Sequence, residues 1–141
     1  MKLLFTALIL ITAFAGLVAQ ANAQDEPQQK DDTQIISMRV GKQKKASVSK
    51  INIKFVSLLE DSRCPEGVNC IHAGNARIKV VVSKAGGDPI TFEMNTNFGE
   101  KGNVYKGYAI YLTDLKPVPK TKVRLSRNQY TAMFSISRLS R

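Results

Sequence analysis

Five runs of the chain alternate apolar and polar residues with a period of two. Ile51, Ile53 and Phe55 interleave with Lys50, Asn52 and Lys54, and Ala76, Ile78, Val80 and Val82 with Arg77, Lys79, Val81 and Ser83. Ile90, Phe92 and Met94 alternate with Thr91, Glu93 and Asn95. Tyr108, Ile110 and Leu112 alternate with Ala109, Tyr111 and Thr113. The last run sets Tyr130, Ala132, Phe134 and Ile136 against Thr131, Met133, Ser135 and Ser137. Successive side chains of a strand point to opposite faces, so each run predicts a half-buried strand. Residues 33–40 and 123–125 are two weaker strand candidates. No window carries a capped helical stripe.

The residues between these runs agree with that reading. Gly86-Gly87-Asp88 predicts a hairpin loop, and residues 97–103 a longer loop before the Tyr108 strand. Pro117 and Pro119 close that strand, because proline has no amide hydrogen for the ladder. Seven short strands separated by turns predict an all-β, antiparallel β-sandwich, immunoglobulin-like in broad shape, or a small barrel.

The N-terminus has a different pattern. Lys2 is the only charge before Asp25, residues 3–18 are almost wholly apolar, and Ala21-Asn22-Ala23 forms a small-x-small site. This order is that of a secretory signal peptide over residues 1–23. The apolar run is at the short end of the ~20 residues that span a bilayer, and no basic stop-transfer cluster follows it. The mature chain is therefore expected to be periplasmic or secreted, with no transmembrane segment. Residues 24–32 hold Asp25, Glu26, Asp31 and Asp32 and no large apolar residue, so they read as a flexible polar tether. Residues 33–141 form a single β domain.

Charge sharpens the picture. The formal net charge is +10, and beyond Asp32 nineteen basic residues face seven acidic ones. Such a domain favours anionic surfaces. Lys50, Lys54, Arg77 and Lys79 fall opposite the apolar residues of their runs, so pairing of the two strands would make them a cationic patch on an outer sheet face. Lys42, Lys44 and Lys45 lie nearby in sequence, and Lys116, Lys120, Lys122, Arg124 and Arg127 form a second basic stretch. These patches suit an anionic envelope component. Nucleic acid is not an expected partner, because the strands lack the interleaved exposed aromatics that base stacking uses.

The chain has two cysteines, and in an exported protein Cys64 and Cys70 are expected to pair. Pro65 and Gly67 let the backbone turn between them, and closing so short a loop is worth roughly 2–2.5 kcal/mol. Asp61 and Arg63 are placed to pair, or Asp61 to accept loop amides. Asp61, Arg63, Glu66, Asn69 and His72 are thus candidates for a recognition loop. A metal or redox site on Cys64, Cys70 and His72, with Asp61 or Glu66 as a fourth ligand, is the alternative. Its spacing matches no standard zinc pattern, and it lacks the two-residue spacing of thiol redox motifs. With His72 the only histidine, a serine triad would have to pass through this loop, and no serine sits in a nucleophile elbow. Glu60 and Asp61 are adjacent and would project to opposite faces. No catalytic residue, metal or cofactor is therefore expected.

From Asp61 to Gly74 the chain resembles a signature of small exported bacterial proteins and lipoproteins of unassigned function: D-S-R-C-P, a few residues, then C-x-W-A-G. Asp61-Ser62-Arg63-Cys64-Pro65, Cys70, Ala73 and Gly74 match it. His72 stands where the pattern carries tryptophan, and no lipidation cysteine is present. The likeness covers residues 51–82 and implies an exported β-rich domain without naming a reaction. The expected function is an exported, non-enzymatic binding or accessory domain, of inhibitory kind included, with a protein partner. The alternatives are an envelope-associated protein held by its basic faces, or the metal or redox protein above.

Overall fold

The computed structural model describes residues 32–140. The signal-peptide reading of residues 1–23 and nearly all of the tether lie outside them. Eight strands are formed: β1 (Gln34–Arg39), β2 (Gln43–Lys45), β3 (Ile51–Asp61), β4 (Ala76–Lys84), β5 (Ile90–Asn95), β6 (Gly102–Tyr105), β7 (Tyr108–Lys116) and β8 (Thr131–Arg138). They build two four-stranded antiparallel sheets, ordered β1-β8-β7-β6 and β2-β3-β4-β5. The sheets do not close on each other, so the architecture is the sandwich and not the barrel. Among the described residues no helix is long and apolar enough to cross a membrane.

The five alternating runs supply most of the core. Ile51, Ile53 and Phe55 of β3, Ala76, Ile78, Val80 and Val82 of β4, Ile110 and Leu112 of β7 and Ala132, Phe134 and Ile136 of β8 are buried between the sheets. Period two fails in two strands, and each failure redirects a side chain. Register shifts between Phe55 and Ser57 and between Leu58 and Glu60 insert extra residues into β3. An inserted residue moves every later side chain to the other face. The inward series becomes Phe55, Leu58, Asp61: the first shift brings Leu58 inward, and the second returns Asp61 to the inward face that unbroken alternation from Ile51 also gives it. A similar shift between Leu112 and Asp114 places Leu115 in the core of β7.

Two strands escape the pattern. β2 is Gln-Lys-Lys, exposed throughout, and has no apolar residue to signal it. β6 occupies the end of the stretch read as a loop, where Gly102 lies against Tyr111 so closely that a Cβ would run into the ring. Conversely, residues 123–125 form no strand. They lead into a short 3-10 turn over Arg127–Gln129.

The sandwich has two distinct ends. The β3–β4, β5–β6 and β7–β8 connections gather at one. The β4–β5 and β6–β7 turns gather at the other, together with the start of β1 and the end of β8, where Gln34 pairs with Ile136.

Candidate functional site

The β3–β4 connection, residues 62–75, is anchored by a buried ionic cluster. Asp61 and Arg63 side chains are only 7% and 11% exposed. Arg63 Nε and Nη2 donate to the two Asp61 carboxylate oxygens, each at 2.8 Å. The same guanidinium donates through Nη1 to the Leu115 carbonyl at 2.6 Å and through Nη2 to the Pro117 carbonyl at 2.8 Å. The Lys116-Pro117 peptide bond is cis. The Tyr130 hydroxyl donates to Asp61 Oδ2 at 2.8 Å. Arg63 thereby ties the end of β3 to the end of β7 in the other sheet, and Tyr130 adds the start of β8. A planar fork of donors satisfies one carboxylate and two carbonyls at once, which an ammonium cannot do in this geometry. Among the described residues no buried side-chain nitrogen or oxygen lacks a partner.

The cluster sets its own protonation. Burial pushes the Asp61 carboxyl up, but hydrogen bonds from Arg63 and Tyr130 and the Arg63 charge outweigh it and hold the group below its ordinary value. The Tyr130 hydroxyl is pushed up to about 12 by burial and by the carboxylate beside it.

Above this base the two limbs of the connection are bonded to each other. Ser62 N donates to the Asn75 carbonyl at 2.7 Å and Cys64 N to the Ala73 carbonyl at 2.8 Å. Gly74 sits at φ +68, and a Cβ there would run into the Ser62 carbonyl, so only glycine lets the limbs close. Asn75 secures the second limb to the β5–β6 connection, accepting from Asn97 N at 3.1 Å and donating to Asn95 Oδ1 at 2.8 Å. At the tip, Cys64 and Cys70 form a disulfide with Cα atoms 6.0 Å apart. Val68 N donates to the Pro65 carbonyl across the turn.

The five candidate recognition residues divide sharply. Asp61 and Arg63 are turned inward and hold the loop. Glu66 is exposed but fastened, its amide donating to the Pro119 carbonyl at 2.8 Å and its carboxylate 3.5 Å from Lys120 Nζ. Asn69 and His72 face solvent. With them stand Val68 and Ile71, the latter 95% exposed. Cys64 and Cys70 are spent on each other, and among the described residues no group of three His, Cys, Asp or Glu side chains is placed to hold a metal ion.

The basic residues gather on the outer face of β3 and β4 only in part. β3 and β4 are neighbours, and Lys54 and Lys79 lie diagonally on their outer face. Arg77, however, lies between two carboxylates, 3.1 Å from Glu93 on β5 and 3.7 Å from Glu60 on β3. Lys50 leaves the strand for a turn, at φ 58. In the second basic stretch, Lys116 pairs with Asp114 and Lys120 with Glu66.

Tyr130, Asn75 and the apolar pair Val68 and Ile71 are the site residues that the sequence pattern does not single out. Tyr130 did carry a signal, since a hydroxyl on the inward face of a strand needs a buried partner. Its partner, Asp61, lies on the inward face at the end of β3. Comparison with protein-family models, curated proteins and solved structures found no match to the chain.

Proposed function

We propose that this chain is an exported, non-enzymatic binding module that engages a protein partner through the tip of its disulfide loop. One observation carries the reading: the loop is locked at its base and along its limbs, yet its tip holds Val68, Asn69, Ile71 and His72 out to solvent. Scattered exposed apolar residues are ordinary on a protein surface. Here two of them stand three positions apart on a tip that a disulfide and a buried ion pair keep from collapsing inward. A preorganised loop loses little conformational entropy on binding, which is where rigid recognition loops gain affinity. Export is supported by the apolar segment, the small-x-small site and the disulfide.

The test places a photo-crosslinking residue at position 72 in the full-length chain expressed in its native envelope. A discrete protein adduct is expected, and it should disappear in Val68→Ser/Ile71→Ser while the melting temperature stays within a degree or two. Surface changes of this kind typically alter stability by no more than about 0.5 kcal/mol. An adduct that persists in the double variant, or the absence of any adduct, overturns the reading.

A further inference from the structure

The end of the sandwich opposite the disulfide loop gathers positive charge around one aromatic ring. Tyr108 opens β7 there. Lys84 Nζ stands 5.4 Å from its ring centroid and Arg138 Cζ 5.7 Å from it. Arg138 Nη2 also donates to the Tyr108 hydroxyl at 3.2 Å. Lys84, Lys106, Gly107, Tyr108 and Arg138 line a cleft of about 720 Å³. That volume falls in the range of sites for small molecules, about 300–1,000 Å³.

Three cations share this cleft, and among the described residues none is ion-paired, whereas Arg63, Arg77, Lys116 and Lys120 all are. The topology brings them together, because β4 ends at Lys84, β8 ends at Arg138 and the β6–β7 turn carries Lys106. Lys50 adds a further charge to this end, since it precedes Ile51, the register partner of Lys84. Collecting like charges costs free energy that a bound anion recovers. Arg138 is fixed by a ring and a hydroxyl, so part of the ordering cost of binding is already met. Its hydrogen bond to Tyr108 holds it firmly charged. Asp32, two residues before β1, also acts on Arg138 at a distance, and β1 begins beside the cleft.

We propose that this cleft is a binding site for a phosphate-class oxyanion, with Arg138 and Lys84 as charged walls, Tyr108 between them and Lys106 at the rim. A singly charged carboxylate would leave most of the charge uncompensated, whereas a phosphate ester or pyrophosphate offers multiple charges and several acceptors for a guanidinium fork and an ammonium. The cleft is wider than one phosphate, so the group belongs to a larger molecule, either a soluble phosphate ester or a lipid headgroup. The site lies at the far end of the fold from the loop and does not depend on the loop's role.

The experiment titrates the full chain with pyrophosphate, and separately with phosphatidylglycerol vesicles, following amide shifts and calorimetric heats. Lys84→Gln/Arg138→Gln should weaken binding about tenfold or more, and Lys106→Gln, in an exposed turn, about threefold. Lys54→Gln/Lys79→Gln on the outer sheet face should leave it within about twofold. Binding of pyrophosphate that needs Lys84 and Arg138 assigns a soluble phosphate. Binding of vesicles alone with the same requirement assigns a headgroup. Binding of neither probe, or equal losses from the cleft and sheet-face pairs, overturns the proposal.

Discussion

Removing the Arg63 guanidinium while Asp61 stays would strand a buried carboxylate and two carbonyls. Arg63→Ala is expected to cost about 3–5 kcal/mol, the penalty for leaving one member of a buried pair uncompensated. Arg63→Lys should recover only part of it, because one ammonium cannot reach the carboxylate and both carbonyls. Urea unfolding of the two variants measures both values. The cluster also predicts the pH profile. Asp61 is lowered from 3.8 on folding, so its stabilisation is full above that value and is lost as pH falls through the folded-state value. Tyr130 is raised from 10.0 to about 12, so its contribution is full below pH 10 and disappears as pH rises toward 12. Tyr130→Phe should remove that alkaline loss and weaken the acid-side stabilisation, read as urea midpoints across pH. The Asp61–Arg63 pairing was legible from two neighbouring residues of opposite charge. That the pair is buried was not, because the apolar alternation of β3 ends at Phe55 and carries no signal of burial as far along as Asp61.

The β3–β4 connection combines a disulfide, a glycine-dependent closure and an asparagine hub, and these have separable effects. Replacing both cysteines by alanine is expected to cost about 2 kcal/mol, as befits a short covalent loop. Gly74→Ala should cost as much or more, because it meets both a left-handed backbone and the Ser62 carbonyl. Melting temperatures of the cysteine-free and Gly74→Ala proteins check both. Strand legibility followed a simple physical line. Strands with one buried face announced themselves through alternation, as β4 and β8 did from end to end. β3 and β7 were recognised only up to their bulges, where the period breaks. β2 was invisible because an exposed edge strand of Gln-Lys-Lys has no buried face to encode. Its lysines also discourage another sheet edge from adding to it.

At the scale of the whole molecule the two proposed sites occupy opposite ends of one rigid sandwich. Variants at Ile71 and at Lys84 should therefore act independently, with stability changes adding to within about 0.5 kcal/mol. Net positive charge was legible from composition, but its placement was not. The strand pattern pointed to the outer face of β3 and β4, where carboxylates compensate Arg77. Lys84, Lys106 and Arg138 meet where strand ends from both sheets converge, a convergence that topology alone creates.

The pairing of Gln34 with Ile136 joins the most widely separated strands in the sequence, β1 and β8. Closing that span is the longest loop the chain must make, and folding slows as such contacts become more distant along the chain. It also leaves the two limits of the domain side by side. A circular permutant that links them with a short glycine-serine bridge, and opens the chain at the exposed Gly86 turn, would turn this remote ladder into a hairpin. It should refold faster than the natural order in stopped-flow measurements while keeping the same disulfide and the same sheet order.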